Sequence, residues 1–156
     1  MSLIVRTAKA EDLPLLGKYW LDLRFAEATS GRFGGGNVPE SSAGWETYAK
    51  KTLLGAHGIL LVAETDDRHL AGFLSCKEIT IPPDRKLGWV EDVYVSPGER
   101  GQGAGRALLA AVEAWARGRG LKYIEGVTGS DNFYAIRAWQ SLGAQQVGVL
   151  IEKRLE

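Results

Sequence analysis

The sequence is poor in the residues that staple or metallate a fold. It holds one cysteine, so no disulfide can close within the chain. Two histidines beside that thiol are too few for a structural zinc site. An excess of either charge is missing as well, since 19 Lys+Arg balance 19 Asp+Glu. Phosphate backbones are neutralised by a basic excess or a basic face, so nucleic acid is not an expected partner. No run approaches about 18 apolar residues, which argues against a transmembrane helix. Residues 1–6 lack the basic stretch and apolar core of a signal peptide. The expectation is a soluble, cytoplasmic protein with no membrane partner and no metal.

What is present suits a globular domain. Apolar residues make up 45% of 156, so residues 1–156 are expected to form one domain. A chain of this length can bury roughly 70% of its unfolded surface. Glycine is the outlier, at 20 residues, nearly twice the usual share of about 7%.

Periodicity divides the chain. Residues 4–8 read as a first strand. Glu11, Asp12 and Pro14 open a helix whose Leu13, Leu16, Trp20 and Leu23 share a face. The glycine-rich stretch 29–42 has no period and reads as a loop, either a lid over an acceptor or a disordered segment. A short helix at 43–54 precedes the continuous apolar run 59–63, the mark of a strand buried on both faces. Strands follow at 70–81 and 87–95, a helix at 104–118, a strand at 122–127, a helix at 132–142 stopped by Gly143, and a last strand at 146–154. The order β-α-α-β-β-β-α-β-α-β implies an α/β fold, a single mixed sheet with helices on both faces.

Chemistry concentrates between residues 89 and 106. A strand carrying Glu91 and Asp92 runs into Ser96-Pro97-Gly98-Glu99-Arg100-Gly101-Gln102-Gly103-Ala104-Gly105-Arg106, and that turn opens a helix. A helix start offers unpaired N–H groups and a positive dipole end, and glycines let a phosphate approach them. A Walker loop needs Lys-Ser/Thr after its second glycine, where this chain has Ala104-Gly105. The dinucleotide fingerprint fails at its third glycine, although Glu125 lies about 20 residues on.

The remaining pattern, Arg100-x-x-Gly103-x-Gly105 at a strand–helix junction, resembles the acetyl-coenzyme A pyrophosphate loop of the GNAT superfamily of N-acetyltransferases. Residues 4–13 resemble that family's opening strand and helix. Asn132-Phe133-Tyr134-Ala135, running to Trp139 and Gly143-Ala144, resembles its second motif, and residues 90–95 resemble the strand of its small-amine members. The resemblance implies a direct acetyl transfer from acetyl-CoA to a primary amine of a small molecule or peptide. The pyrophosphate would sit on Arg100, Gly101, Gln102, Gly103, Ala104, Gly105 and Arg106. The pantetheine arm would pair with the backbone at Val93 and Val95, flanked by Asn132 and Ala135. A homodimer is also compatible with the resemblance.

An alkylammonium with pKa about 10.4 must lose a proton before it attacks, and a carboxylate can accept it. The resemblance assigns the base to Glu91, with Asp92 as amine-binding group or second base; the plainer reading is a pair of salt-bridging carboxylates. Strand alternation groups Glu91 with Trp89, Val93 and Val95, and Asp92 with Val90 and Tyr94. Trp20, Arg24 and Glu27 are candidates for the acceptor pocket. Cys76 reads as a core residue, His57 and His69 as loop residues and Tyr134 as packing. Trp139 stands where small-molecule members carry an acidic tyrosine. An indole cannot serve as a general acid, so a non-catalytic acyl-CoA-binding module is the alternative reading.

Overall fold

Residues 59–63 are apolar in succession because both sides of their strand are covered. In the computed structural model, which describes residues 2–29, 38–153 and 155, they lie in β2 (Gly58–Thr65). Leu60 and Val62 enter one core cluster and Leu61 and Ala63 the other, as a period of two requires. β1 (Leu3–Thr7) and β3 (Leu70–Ile81) flank β2, both antiparallel to it. β4 (Arg85–Val95) is antiparallel to β3, and β5 (Ile124–Gly126) joins β4 in parallel. The sheet is mixed, in the order β1-β2-β3-β4-β5.

Helices cover both faces. α1 (Leu13–Thr29) and α2 (Ala43–Tyr48), with a π-helical turn at Ala49–Leu53, bury Leu16, Tyr19, Trp45 and Leu53 against Phe73 and Tyr94. On the opposite face α3 (Ala104–Gly118) is the crossover that a parallel pair needs. Its Ala104, Leu108, Leu109 and Val112 recur at helical spacing and pack on Leu61, Leu74, Cys76 and Val90. α4 (Phe133–Ser141) adds Ala138 and Trp139 to that cluster.

Two expectations need correction. β5 has three residues rather than the six of 122–127, because its pairing with β4 ends at Val90–Gly126. The strand expected at 146–154 is absent over 146–153, where no ladder forms and Val147, Val149, Leu150 and Ile151 stand exposed. A strand needs an edge that accepts its backbone hydrogen bonds as well as an apolar pattern. Of the loop at 29–42, residues 30–37, and with them most of the suggested lid, lie outside the described residues.

Candidate active site

β4 carries one residue more than its partner strand needs. Ser75 pairs with Asp92 and Cys76 with Val90, so Glu91 is the extra residue of a β-bulge. A bulge breaks alternation and bends its strand. Val90, Val93 and Val95 consequently pack on the α3 side. Glu91 and Asp92 both reach partners on the α1–α2 side, and Tyr94 belongs to the cluster there. This corrects the simple alternation, which grouped Glu91 with Val93 and Val95 and placed Asp92 beside Val90. The bulge sits where β5 ends, so among the described residues Glu91 to Val95 have no neighbouring strand on that edge.

The two carboxylates are held differently. The Tyr48 hydroxyl donates to Glu91 Oε1 at 2.5 Å, and Lys77 Nζ lies 3.5 Å from Oε2. The same ammonium stands over the Tyr48 ring, 5.6 Å from its centroid. Burial, then the bond to Glu91, pushes the Tyr48 phenol above its ordinary range, so it serves as a fixed donor. Asp92 is 9% exposed and pairs with Arg24 of α1. Burial raises the Asp92 carboxyl above the usual range against the pull of Arg24, and Glu91 adds to the rise. Arg24 also reaches Glu27 at 3.3 Å and lies 5.7 Å from the Trp20 ring centroid. Burial foremost raises the Glu27 carboxyl too. Behind these groups Trp20 stacks on Trp45 with centroids 5.9 Å apart. This face gathers Glu27, Glu91 and Asp92 around Arg24 and Lys77, a small negative excess suited to a cation.

The glycine turn lies at the end of β4. Gly101 and Gly103 have φ of +80° and +89°, a region that side chains with a Cβ rarely adopt, and a Cβ at either would meet no atom within 4 Å. The turn therefore presents open backbone. Among the described residues no backbone acceptor outside α3 takes the amide hydrogens of Gly101 to Arg106, and those in the first turn of α3 find none within the helix. Open amides at the positive end of a helix dipole are the chemistry that can hold an anion. Arg100 Nε donates to the Val95 carbonyl at 3.0 Å, tying the turn to the strand. A Cβ on Gly105 would lie 3.8 Å from Val95 Cγ2, so the start of α3 passes over Val95.

α4 closes the split. Asn132 caps it, accepting from the Ala135 amide at 3.3 Å. The Trp139 indole lies so close to Gly126 that a Cβ there would be 3.0 Å from Cζ2. Trp139 thus packs where β4 and β5 part, while Tyr134 is 74% exposed. Cys76 is fully buried, and burial pushes its thiol to about 12, which removes it as a nucleophile.

The sequence reading located Glu91, Asp92, Val93, Val95 and the turn Arg100 to Arg106 on one strand–turn–helix unit, and Asn132 and Ala135 on the helix whose Trp139 meets its edge. Arg24 joins Asp92 as a member of the suggested Trp20–Arg24–Glu27 cluster. Tyr48 and Lys77 were missed. Tyr48 is 43 residues from Glu91, and no local pattern connects the two.

Residues 21–144 match the family described as Acetyltransferase (GNAT) family. The chain belongs to the GNAT acetyltransferase family. Its relatives include "N-acetyltransferase family 8 member 2" of Rattus norvegicus, 36% identical over 109 residues, covering 67% of this chain and 48% of that one. This chain therefore spans about half the length of that relative. "Aminoglycoside N(6')-acetyltransferase type 1" of Stenotrophomonas maltophilia is 28% identical over 109 residues, covering 67% and 71%. Among solved structures, a predicted acetyltransferase with acetyl-CoA from Clostridium acetobutylicum shares the GNAT fold with a TM-score of 0.74 at 18% identity, covering 99% of this chain and 97% of that one.

Proposed function

We propose that this GNAT chain is an N-acetyltransferase that moves an acetyl group from acetyl-CoA directly to a primary amine of a small molecule or peptide. The observation that carries the reading is the bulge. It turns Glu91 and Asp92 together onto a face lined by α1 and α2, while Val93, Val95 and the glycine turn belong to the other side of the same strand.

The residues fit the donor. Gly101, Gly103 and the free amides of the turn suit a pyrophosphate, with Arg100, Gln102, Ala104, Gly105 and Arg106 supplying backbone and charge. The unpaired edge at Val93 and Val95 suits an extended amide-bearing arm, as an added strand suits a sheet edge. Asn132 and Ala135 stand at the opening of α4 to flank it. When bound, acetyl-CoA supplies an acetyl thioester.

The chain's own groups handle the amine. Glu91, oriented by Tyr48 and Lys77, takes the proton from the acceptor ammonium, directly or through water. Asp92 with Arg24 and Glu27 shapes the charge of the acceptor side, and the negative excess favours cationic amines. No side chain of α4 supplies a general acid; once the neutral amine has attacked the thioester carbon, the carbon–sulfur bond breaks with departure of the thiolate, reference pKa about 8.5, and the second nitrogen proton passes to solvent. Cytoplasmic location and a homodimeric state complete the reading. The test is thiol release from acetyl-CoA against a panel of amines, amino acids, peptides and aminoglycosides. Amine-dependent release that Glu91→Gln suppresses supports the reading. Tight acetyl-CoA binding without release for any amine would favour an acyl-CoA-binding module.

A further inference from the structure

Lys77 places an amine of the chain itself against the proposed base. Residue 77 pairs with Trp89 in the β3–β4 ladder, just before the bulge. Cys76 packs toward α3, so the alternation of β3 sends Lys77 to the α1–α2 side, where Glu91 points. Its Nζ lies 3.5 Å from Glu91 Oε2 and 5.6 Å from the centroid of the Tyr48 ring. Every other lysine of the chain is exposed, whereas Lys77 is half-buried. A partly exposed ion pair adds little to a fold, so stability is a weak reason for this ammonium. An acceptor nitrogen must come within about 3 Å of its base, or reach it through one water. Lys77 Nζ already stands close to that position, and its flexible four-carbon stem can cover the remainder.

We infer that Lys77 is itself an acceptor of this site, and that the chain acetylates its own Lys77 when no external amine is present. The inference rests on the proposed roles of acetyl-CoA as donor and Glu91 as base. The Lys77 ammonium gives one proton to Glu91. The neutral Nζ attacks the thioester carbon with its lone pair. The carbon–sulfur bond breaks, its electron pair leaves with the coenzyme A thiolate, and the second nitrogen proton passes to solvent. The product is an uncharged amide at residue 77, which cannot be protonated to act again. Acetylation of a lysine removes its charge and its ion pair, so Glu91 is left without the cation that faces it. The negative excess of the acceptor face then grows by one charge, and an external ammonium meets the base without a competitor.

The test incubates the full chain with acetyl-CoA and no amine, follows thiol release, and maps acetylated lysines by peptide mass spectrometry. Acetyl should appear on Lys77 ahead of every exposed lysine, the exposed ones measuring uncatalysed acetylation in the same sample. Rapid thiol release should stop at one per chain, at a rate independent of protein concentration. Glu91→Gln should slow the modification of Lys77 by about 10²–10⁴-fold and leave the exposed lysines as they were. Lys77→Arg, which keeps a cation beside Glu91, should abolish the rapid release. Modification of Lys77 no faster than that of the exposed lysines overturns the inference, and so does a rate that Glu91→Gln leaves unchanged. A rate that rises with protein concentration overturns it too, because copies would then be acetylating one another. Adding the amine panel to the same preparation separates two failures. Amine-dependent release with Lys77 unmodified removes the self-acetylation and leaves the proposed function standing, whereas no release with or without amine removes both.

Discussion

Replacing Glu91 by Gln separates chemistry from structure at the bulge. The amide keeps an acceptor for the Tyr48 hydroxyl and loses the charge that faces Lys77. Those side chains are 22% and 34% exposed and 3.5 Å apart, so their pairing is worth up to about 1 kcal/mol. Changing the Tyr48 bond from a charged to a neutral acceptor costs about 1 kcal/mol more. Stability should therefore fall by about 1–2 kcal/mol out of a typical 5–15, and the variant should remain folded. Removing a general base costs about 10²–10⁴ in rate, which is ~2.7–5.4 kcal/mol of barrier. Acetyl-CoA affinity should not change, because Glu91 faces α2 while the turn at 100–106 lies beyond Val95. Single-turnover thiol release with a saturating amine, beside calorimetric titration with acetyl-CoA, reads both quantities. A folded variant within about tenfold of native kcat/KM would refute the reasoning and move the proton to Asp92, a water chain or solvent.

Gly103→Val places a branched side chain at φ +89°, costing about 1–3 kcal/mol of stability; a folded variant should lose acetyl-CoA affinity in calorimetry, and unchanged affinity would sink the cradle. Tyr134→Phe should leave the single-turnover rate and the alkaline side of the pH profile as they are. A loss near the ~10²–10⁴ of a general acid would show that this exposed tyrosine reaches the thiolate after all. Asp12 is held below its ordinary pKa chiefly by its bond to Arg6. A lowered carboxyl contributes stability above its unfolded pKa of about 3.9 and loses it as pH falls through the folded value. The urea-midpoint gap between the native chain and Asp12→Asn should therefore be wide near pH 7 and close in strong acid; a gap independent of pH would contradict the pairing.

The sequence displayed what local rules encode. The run at 59–63 announced a strand covered twice, and the helix expected at 104–118 is α3, whose Leu108 and Val112 are buried at helical spacing. The glycine turn was legible because φ near +80° to +90° demands glycine at Gly101 and Gly103. The bulge was not legible. Alternation counts residues, and an inserted residue has no signature until the partner strand is known. Tyr48 and Lys77 were hidden for a related reason, since their meeting with Glu91 depends on how α2 and β3 stack. The apolar pattern at 146–153 forms no strand of this sheet, because alternation alone does not supply an edge to pair with.

The pairing of β3 with β4 is continuous if Glu91 is left out. Val90 follows Cys76 and Asp92 follows Ser75 as an unbroken ladder would have them, with Val93, Tyr94 and Val95 on the faces they already occupy. The carboxylate that meets Tyr48 and Lys77 therefore rides on a residue that the β3–β4 ladder can do without. A single codon inserted into an ordinary strand would supply it, and would splay the sheet edge in the same stroke. Val90, Val93, Tyr94 and Val95 each enter one of the two core clusters, whereas Glu91 enters neither and is held by Tyr48 and Lys77 instead. Ancestry could add, move or erase the charge there while the scaffold persisted, and a one-codon deletion would be a direct way to obtain a folded chain stripped of it.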